Sequence, residues 1–254
     1  MPDGETLQRD GAVIGEITFD KSNVFDLDNP DENNWLFRLA NRLHIVTKDK
    51  VIAKQLLLRS GDTYSSRLIE ESERILRGNQ YLFDANIEPL RYNNGVVDLA
   101  VKTRDVWTLN PDISVSRSGG ENRTKLGIED TNLLGRGQLV RVARIENVDR
   151  TEKSFEFFDK HLGRSWVSTS LKIADNSDGK FNLVSAVRPF YALDTRWSAG
   201  STWLDNDRRE ALYVLGEEAA EYQHERDYWS AFGGWSNGLK NGWVRRWTAG
   251  VVRD

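Results

Sequence analysis

Near residue 108 the hydrophobic period of this chain changes, and it does not change back. Upstream lie two patterns of helical spacing and a tight hairpin signal; downstream, short alternating segments rich in Trp, Phe and Arg run to residue 254. A strand period sustained over the whole second half restricts the fold to a small mixed domain followed by a long all-β region.

The first hundred residues carry local signals of good quality. Ala12 to Phe19 reads as a strand, with Val13, Ile17 and Phe19 on one face. Asn29-Pro30-Asp31-Glu32 combines an N-cap residue, Pro at the first helical position and an acid three residues after the cap, which predicts a helix start. Leu36, Leu39, Ala40 and Leu43 follow at helical spacing, so this helix is expected to bury one stripe. Val51 to Leu58 is apolar but fits no single period, and Ser60-Gly61-Asp62 breaks it.

A second helix, capped by Ser65 or Ser66, is predicted to line its inner face with Leu68, Ile69, Ser72, Ile75 and Leu76. Glu70–Arg74 and Glu73–Arg77 stand at i,i+4 with the acid first, and Gly78 supplies a stop. Tyr81, Phe83, Ala85 and Ile87 then alternate along one strand, and Val97, Leu99 and Val101 along its return. Asn94-Gly95 between them is the preferred pair for a type I′ hairpin. The expected order is strand, helix, irregular segment, helix, strand, strand over residues 12–108, after a tail at 1–11.

From residue 109 to 254 turn signals recur at Ser118–Asn122, Asn132–Gly137, Asn147–Arg150, Gly163, Asp175–Gly179, Asp205–Arg208 and Ser236–Gly242. Between them Phe155 and Phe157 share a face, as do Val167, Leu171 and Ile173; Phe181, Leu183 and Val187; Trp197 and Trp203; and Trp243 and Trp247. About eight to ten strands result, most near the roughly 9–11 residues of a tilted membrane strand. Two features strain that pattern. Arg141 falls on the face of Leu139 and Ile145, Arg144 on that of Val140 and Val142, and an Arg at the lipid midplane costs about 2–4 kcal/mol, falling to about 0–1 near the interface. This strand therefore needs one Arg at a membrane boundary, a bulge, or a setting away from lipid, and Arg245 and Arg246 pose the same requirement.

Composition removes several function classes. Thirty-five basic and 39 acidic residues leave a formal charge of -4, which argues against nucleic acid as a partner. Without cysteine there is neither a disulfide framework nor a thiolate zinc site. No run approaches the roughly 18–20 apolar residues of a membrane helix. The first residues, Met1-Pro2-Asp3-Gly4-Glu5, read as neither half of a signal peptide, so the expectation is an intracellular protein or a chain that begins downstream of its true start. A mean hydropathy of -0.59 is that of a soluble protein, yet barrel strands alternate lipid-facing and lumen-facing residues and average to similar values.

Candidate chemistry is sparse. His44, His161 and His224 lack metal-ligand spacing. Asp205-Asn206-Asp207 resembles a chelating run, but no Gly or bidentate Glu follows at calcium-loop spacing, and a solvated loop is the better reading. Gly135-Arg136-Gly137 lacks the Gly-Lys-Ser/Thr ending of a phosphate loop and reads as a turn. Glu217, Glu218 and Glu221 read as charged lumen or loop residues rather than paired catalytic carboxylates. The nine Trp suit either interfacial girdles or sandwich-core anchors, and girdles are favoured only through the family resemblance of the first hundred residues given below. No catalytic, cofactor-binding or metal-binding residue is assigned.

Taken together, Gly61-Asp62-Thr63-Tyr64-Ser65, Tyr81-Leu82-Phe83-Asp84-Ala85 and the hairpin ending Thr103-Arg104-Asp105-Val106-Trp107 resemble a POTRA domain. Gly127-Ile128-Glu129-Asp130-Thr131-Asn132-Leu133-Leu134-Gly135-Arg136-Gly137-Gln138 is similar to the opening of a BamA/TamA-type outer-membrane barrel, and Phe157-Phe158-Asp159 with Leu162-Gly163 fits its next hairpin. The resemblance implies an α+β POTRA-like domain (β-α-α-β-β, residues 12–108) in the periplasm. The N-terminal part of an antiparallel transmembrane β-barrel, residues 109–254, would follow in the bacterial outer membrane. It implies partners of three kinds: the lipid bilayer, unfolded outer-membrane or secreted polypeptides bound by strand addition, and periplasmic or inner-membrane proteins. No cofactor and no enzymatic activity are implied. The strands are fewer than family barrels close with, and the family's later Arg-Gly lumen loop is not found, so the chain is expected to be a fragment. Two alternatives belong to other classes: the anchor of a patatin-like lipase encoded upstream, and a soluble β-sandwich that binds ligands through exposed Trp.

Overall fold

The computed structural model describes residues 1–118, 121–147, 150–215 and 217–254. The turns expected at Ser118–Asn122 and Asn147–Arg150 lie partly outside the described residues, as do the side chains of Glu217 and Glu218. The chain forms two compact units: Met1–Thr108 with Thr131–Gly137, and Leu109–Asp130 with Gln138–Asp254.

The first unit begins earlier than the sequence suggests. Residues 1–11 are no tail: Gly4–Arg9 is a helix (α1), because the Asp3 carboxylate accepts the Thr6 amide at 2.8 Å and Leu7 is fully buried. Strand β1 (Val13–Ser22) runs parallel to β3 (Val96–Asp105), which pairs antiparallel with β2 (Leu82–Asn93), giving the order β1-β3-β2. The β2–β3 turn is as predicted, with positive φ at Asn94 (49°) and Gly95 (79°). Bulges alter two expected alternations. One between Ile14 and Ile17 puts Ile14 into the core and leaves Val13 exposed; one between Leu82 and Asp84 buries Leu82 and Ala85 and turns Phe83 outward.

Asn29 caps as expected, accepting from the Asp31 amide at 3.1 Å, but the structure it caps is one 3₁₀ turn, Pro30–Glu32. Asn33 leaves helical geometry and donates to the Leu27 carbonyl, and Asn34 caps the actual helix, α2 (Trp35–Leu43). The stripe expected to be buried is not: Leu36, Leu39 and Leu43 are 53%, 43% and 64% exposed. The helix is held by another face. Phe37 stacks on Phe25 at 3.9 Å, and the Asn41 amide bonds both the N–H and the carbonyl of Phe25.

The ambiguous Val51–Leu58 segment is a short helix, α3 (Asp49–Ala53), plus a turn, burying Val51, Ile52 and Leu58. Helix α4 (Ser66–Arg77) follows its N-cap Ser65 and buries Ile69, Ser72, Ile75 and Leu76. Glu73–Arg77 pairs at 3.1 Å, whereas Arg74 reaches Glu71 in place of Glu70. Gly78 is the C-cap with φ -75°, so it stops the helix without the left-handed turn. Leu76, Leu99, Val97, Val101 and Ile14 centre the core. Beside it Gln55 donates to the Tyr81 hydroxyl (2.8 Å) and accepts from Asn79 (2.8 Å), so this buried polar group is satisfied.

The second unit is one nine-stranded antiparallel sheet in chain order. Its strands are β4 (Leu109–Ser118), β5 (Glu121–Asp130), β6 (Gln138–Glu146), β7 (Thr151–Asp159), β8 (Ser168–Asn176) and β9 (Gly179–Arg188), then β10 (Trp197–Val214), β11 (Glu217–Lys240) and β12 (Trp243–Arg253). A single meander replaces the two packed sheets of the sandwich alternative. Among the described residues β4 and β12 are its edges and do not pair with each other, so the sheet as described is open. The expected turn at Asp205–Arg208 is instead the middle of β10, in register with Arg226, Glu225 and His224 of β11. The last expected turn resolves into a bulge between Ser236 and Leu239 and a tight Asn241-Gly242 turn with both φ positive.

Candidate functional site

Register sorts the side chains of the sheet into two faces of different chemistry. One face carries Ile113 and Val115 on β4, Leu126 and Ile128 on β5, Val140 and Val142 on β6, and Phe155 and Phe157 on β7. It continues through Leu171 and Ile173 on β8, Val184 on β9, and Trp203, Trp229 and Val251 on β10 to β12. Many of these stay open to the surroundings, with Ile113 and Val115 71% and 74% exposed. So wide an exposed apolar surface marks an interaction face.

The other face is mixed, with Leu139, Phe158, Phe181 and Leu183 beside paired polar groups. Asp112 accepts from Lys125 (2.5 Å) and from Arg141 (2.9 Å), Lys172 pairs with Glu156 (2.9 Å), and the Ser185 and Thr202 hydroxyls meet at 2.9 Å. This resolves the difficulty of Arg141, which sits on the polar face between Glu129 and Glu156 in register. Arg144 is on the apolar face, but two residues from the end of β6, where it bonds Glu146. Arg246 is on the polar face opposite Ser236, stacked over Phe190; Arg245 lies on the apolar face two residues from the start of β12.

Tryptophan is concentrated on the apolar face in two rows. Trp203 and Trp229 are paired in one; Trp197, Trp235 and Trp247 form the other, with Trp235 and Trp247 stacked at 5.2 Å. At about 3.3 Å per residue the rows lie roughly 20 Å apart along the strands. Between them are small side chains: Ala199, Ser201, Ala231, Gly233 and Ala249.

In the first unit the two sequence motifs meet in a buried polar network. One carboxylate oxygen of Asp105, in β3, accepts the Thr47 amide (2.8 Å), the Thr47 hydroxyl (3.0 Å) and His44 Nε2 (2.8 Å). Asn132 donates to the Thr47 hydroxyl (2.8 Å) and accepts the Gly137 amide (2.6 Å), while the Lys48 amide donates to the Gly135 carbonyl (3.0 Å). Gly135 and Gly137 both have φ 68°, and a Cβ on Gly135 would stand 2.6 Å from the Val46 carbonyl oxygen. The Gly-Arg-Gly turn is thus a backbone requirement of this packing. His44 is a satisfied core side chain; His161 is buried edge-on to Trp166 at 4.8 Å; His224 lies in β11 opposite Arg208. Asp205 accepts from Asn182 and Asp207 from Gln223, so the chelating run is spent in strand contacts. Glu221 lies near Arg209 at 4.0 Å.

The edges of the three-stranded sheet differ. On β2 the amides of Ala85 and Ile87 are taken by the Asp84 (2.8 Å) and Glu73 (2.7 Å) carboxylates, and Pro89 has none. On β1 residues Ala12 to Ile14 pair with the 61–64 segment; beyond them its outer side makes no further backbone pairing among the described residues.

No protein-family model and no curated protein match this sequence. Among solved structures it is similar to CdiB from Acinetobacter baumannii, with a TM-score of 0.53 at 10% identity, covering 96% of this chain and 46% of that one. It is also similar to BamA from Haemophilus ducreyi lacking POTRA domains 1–3, with a TM-score of 0.48 at 14% identity, covering 93% of this chain and 48% of that one. The chain spans about half the length of the two solved chains. The likeness to CdiB is one of fold, and it agrees with the barrel-type strand region that the sequence motifs led one to expect.

Proposed function

We propose that this chain is the front part of a bacterial outer-membrane barrel protein of the BamA/TamA type, with unit two in the bilayer and unit one a POTRA-like domain in the periplasm. The observation that carries this reading is the band of apolar side chains that crosses all nine strands on one face, from Ile113 and Leu126 through Val142, Phe155, Leu171 and Val184 to Trp203, Trp229 and Val251, while ion pairs such as Lys125–Asp112 and Arg141–Asp112 lie on the other. A lipid-facing surface must be apolar in its middle, and a barrel lumen tolerates charge. The two Trp rows fit interfacial girdles, and Arg144, Arg188, Arg245 and Arg253 on the apolar face all stand within two residues of a strand end, where the cost of a charge is smallest.

The proposed role is binding and scaffolding rather than catalysis: assembly or insertion of other barrel proteins, or polypeptide secretion. Unit one would take up extended clients or partner proteins by strand addition. Because the β2 edge is occupied at Ala85 and Ile87 and lacks a donor at Pro89, β1 from Ile17 to Ser22 is the edge suited to it.

Extraction tests the membrane assignment. The full-length protein in its native membranes is expected to resist carbonate and urea and to be released by detergent; complete release by either wash refutes the assignment. Hydrogen exchange tests the edge. Addition of an unfolded barrel polypeptide is expected to slow exchange in 17–22, and slowing confined to 85–91 would shift the site to β2.

A further inference from the structure

Helix α2 presents an apolar surface that its own unit does not cover. Trp35 is 71% exposed, and Leu36, Leu39 and Leu43 share its side of the helix. This is not a loosely attached helix that could roll inward. Its opposite side is clamped by the Phe37–Phe25 stack and by both hydrogen bonds from Asn41 to the Phe25 backbone, with a third contact from Asn23 to the Asn41 carbonyl (3.0 Å). The outward direction of the leucines is therefore fixed by the fold.

The charges on the helix itself have one sign. Trp35–Leu43 contains Arg38 and Arg42 and no acid, both Arg are exposed, and neither forms an ion pair among the described residues. The acid that closes the preceding turn, Glu32, is held by Arg104 at 2.6 Å. An apolar stripe with Trp at one end and Arg beside it has the composition of a helix that lies in a lipid interface. The unit carrying it is also joined to the strand sheet at three successive points of the chain, 108/109, 130/131 and 137/138. Such a tether raises the effective concentration of the helix at whatever surface the strands enter.

We infer that α2 is an interfacial helix that inserts Trp35, Leu36, Leu39 and Leu43 into an anionic phospholipid surface, with Arg38 and Arg42 on lipid phosphates. The inference rests on the reading of unit two as membrane-spanning. It makes the helix a second, shallow membrane contact that holds unit one at the bilayer.

The chain has no cysteine, so single spin labels can be placed at will. Leu39→Cys and, separately, Ile173→Cys on the apolar sheet face would be labelled in the full chain reconstituted in mixed phosphatidylglycerol–phosphatidylcholine vesicles. Relaxation by oxygen and by a water-soluble nickel chelate reports depth. The expected result is oxygen-dominated relaxation at both labels. At Leu39 it should weaken severalfold in pure phosphatidylcholine and with Arg38→Glu/Arg42→Glu, and recover with Arg38→Lys/Arg42→Lys. A Leu39 label relaxed by nickel while Ile173 stays in lipid overturns the helix inference alone. A Leu39 label shielded from both reagents means a protein partner or a second copy covers the helix, and also overturns it. Nickel access at Ile173 overturns the membrane-spanning reading and the inference with it.

Discussion

Asp105 concentrates three hydrogen bonds on one oxygen, and Asn132 extends that network to the Gly-Arg-Gly turn. Deleting a buried polar partner costs more than the bond itself is worth, because the remaining donors stay unsatisfied. Asn132→Ala takes the acceptor from the Gly137 amide and one of two partners from the Thr47 hydroxyl, which keeps Asp105, and is expected to destabilise unit one by about 1–3 kcal/mol. Faster exchange of the β3 core amides Val97 and Leu99, with the β7–β8 amides unchanged, is the readout; equal acceleration in both would assign Asn132 a global role. A second residue-scale effect depends on pH. The Glu16 amide, donating to Asp98, and then the Arg91 guanidinium hold the Asp98 carboxyl below the usual carboxylate range. A carboxyl with a lowered folded pKa contributes its stability above the ordinary Asp value and loses it as pH falls through the folded value. The protection factor of Glu16 should thus be flat from neutral pH down to the ordinary carboxylate range and fall below it; Asp98→Asn should remove that step. Little of this was legible beforehand. Thr103–Asp105 and Asn132–Gly137 stood out as motifs, but their meeting with His44 joins residues 61 positions apart, and no local period records such a contact.

At the scale of elements, the same sequence pattern had two outcomes. Helices α2 and α4 both carry an apolar stripe at helical spacing, and only α4 buries it. Periodicity states that one face is apolar; whether protein or something else covers it depends on where tertiary contacts anchor the element, here Phe25 and Asn41. The strands were read more faithfully, because alternation is short-ranged and one-residue register fixes every side chain at once. What the strand pattern lacked was a statement of which face is outside, and Arg141 and Arg144 were ambiguous for that reason. The faces make a direct test. Ile173→Arg, on the apolar face of β8, is expected to cost about 2–4 kcal/mol in bilayers if that residue sits near the midplane, whereas Ser170→Arg on the polar face is expected to cost under about 1 kcal/mol. Urea midpoints of the two variants in lipid vesicles give the comparison, and equal losses would remove the lipid-facing assignment.

Over the whole molecule the sheet has two edges, and hydrocarbon does not tolerate edges. Every strand from β5 to β11 is paired on both sides, while β4 and β12 each have one unpaired side. An unsatisfied backbone amide or carbonyl in the bilayer core costs several kcal/mol, so a membrane sheet must cover its edge groups by pairing. Further strands, another copy, or a client strand would each do this with the same backbone chemistry. The register makes the consequence measurable. In detergent the 254-residue chain should show slow amide exchange through β7 and β8, where ladders close on both sides, and fast exchange at alternate residues along β4 and β12, whose amides alternately face a partner and the open side. Adding a strand partner should slow the fast set of β4, β12 or both and leave β7 and β8 unchanged. Uniformly slow exchange along both edge strands of the chain alone would mean that the edges already pair, and the open sheet would then be a resting form of a closed or oligomeric one. Edge amides therefore separate a sheet whose edges are free to take a partner strand from one that closes on itself, which no feature of the individual strands can do.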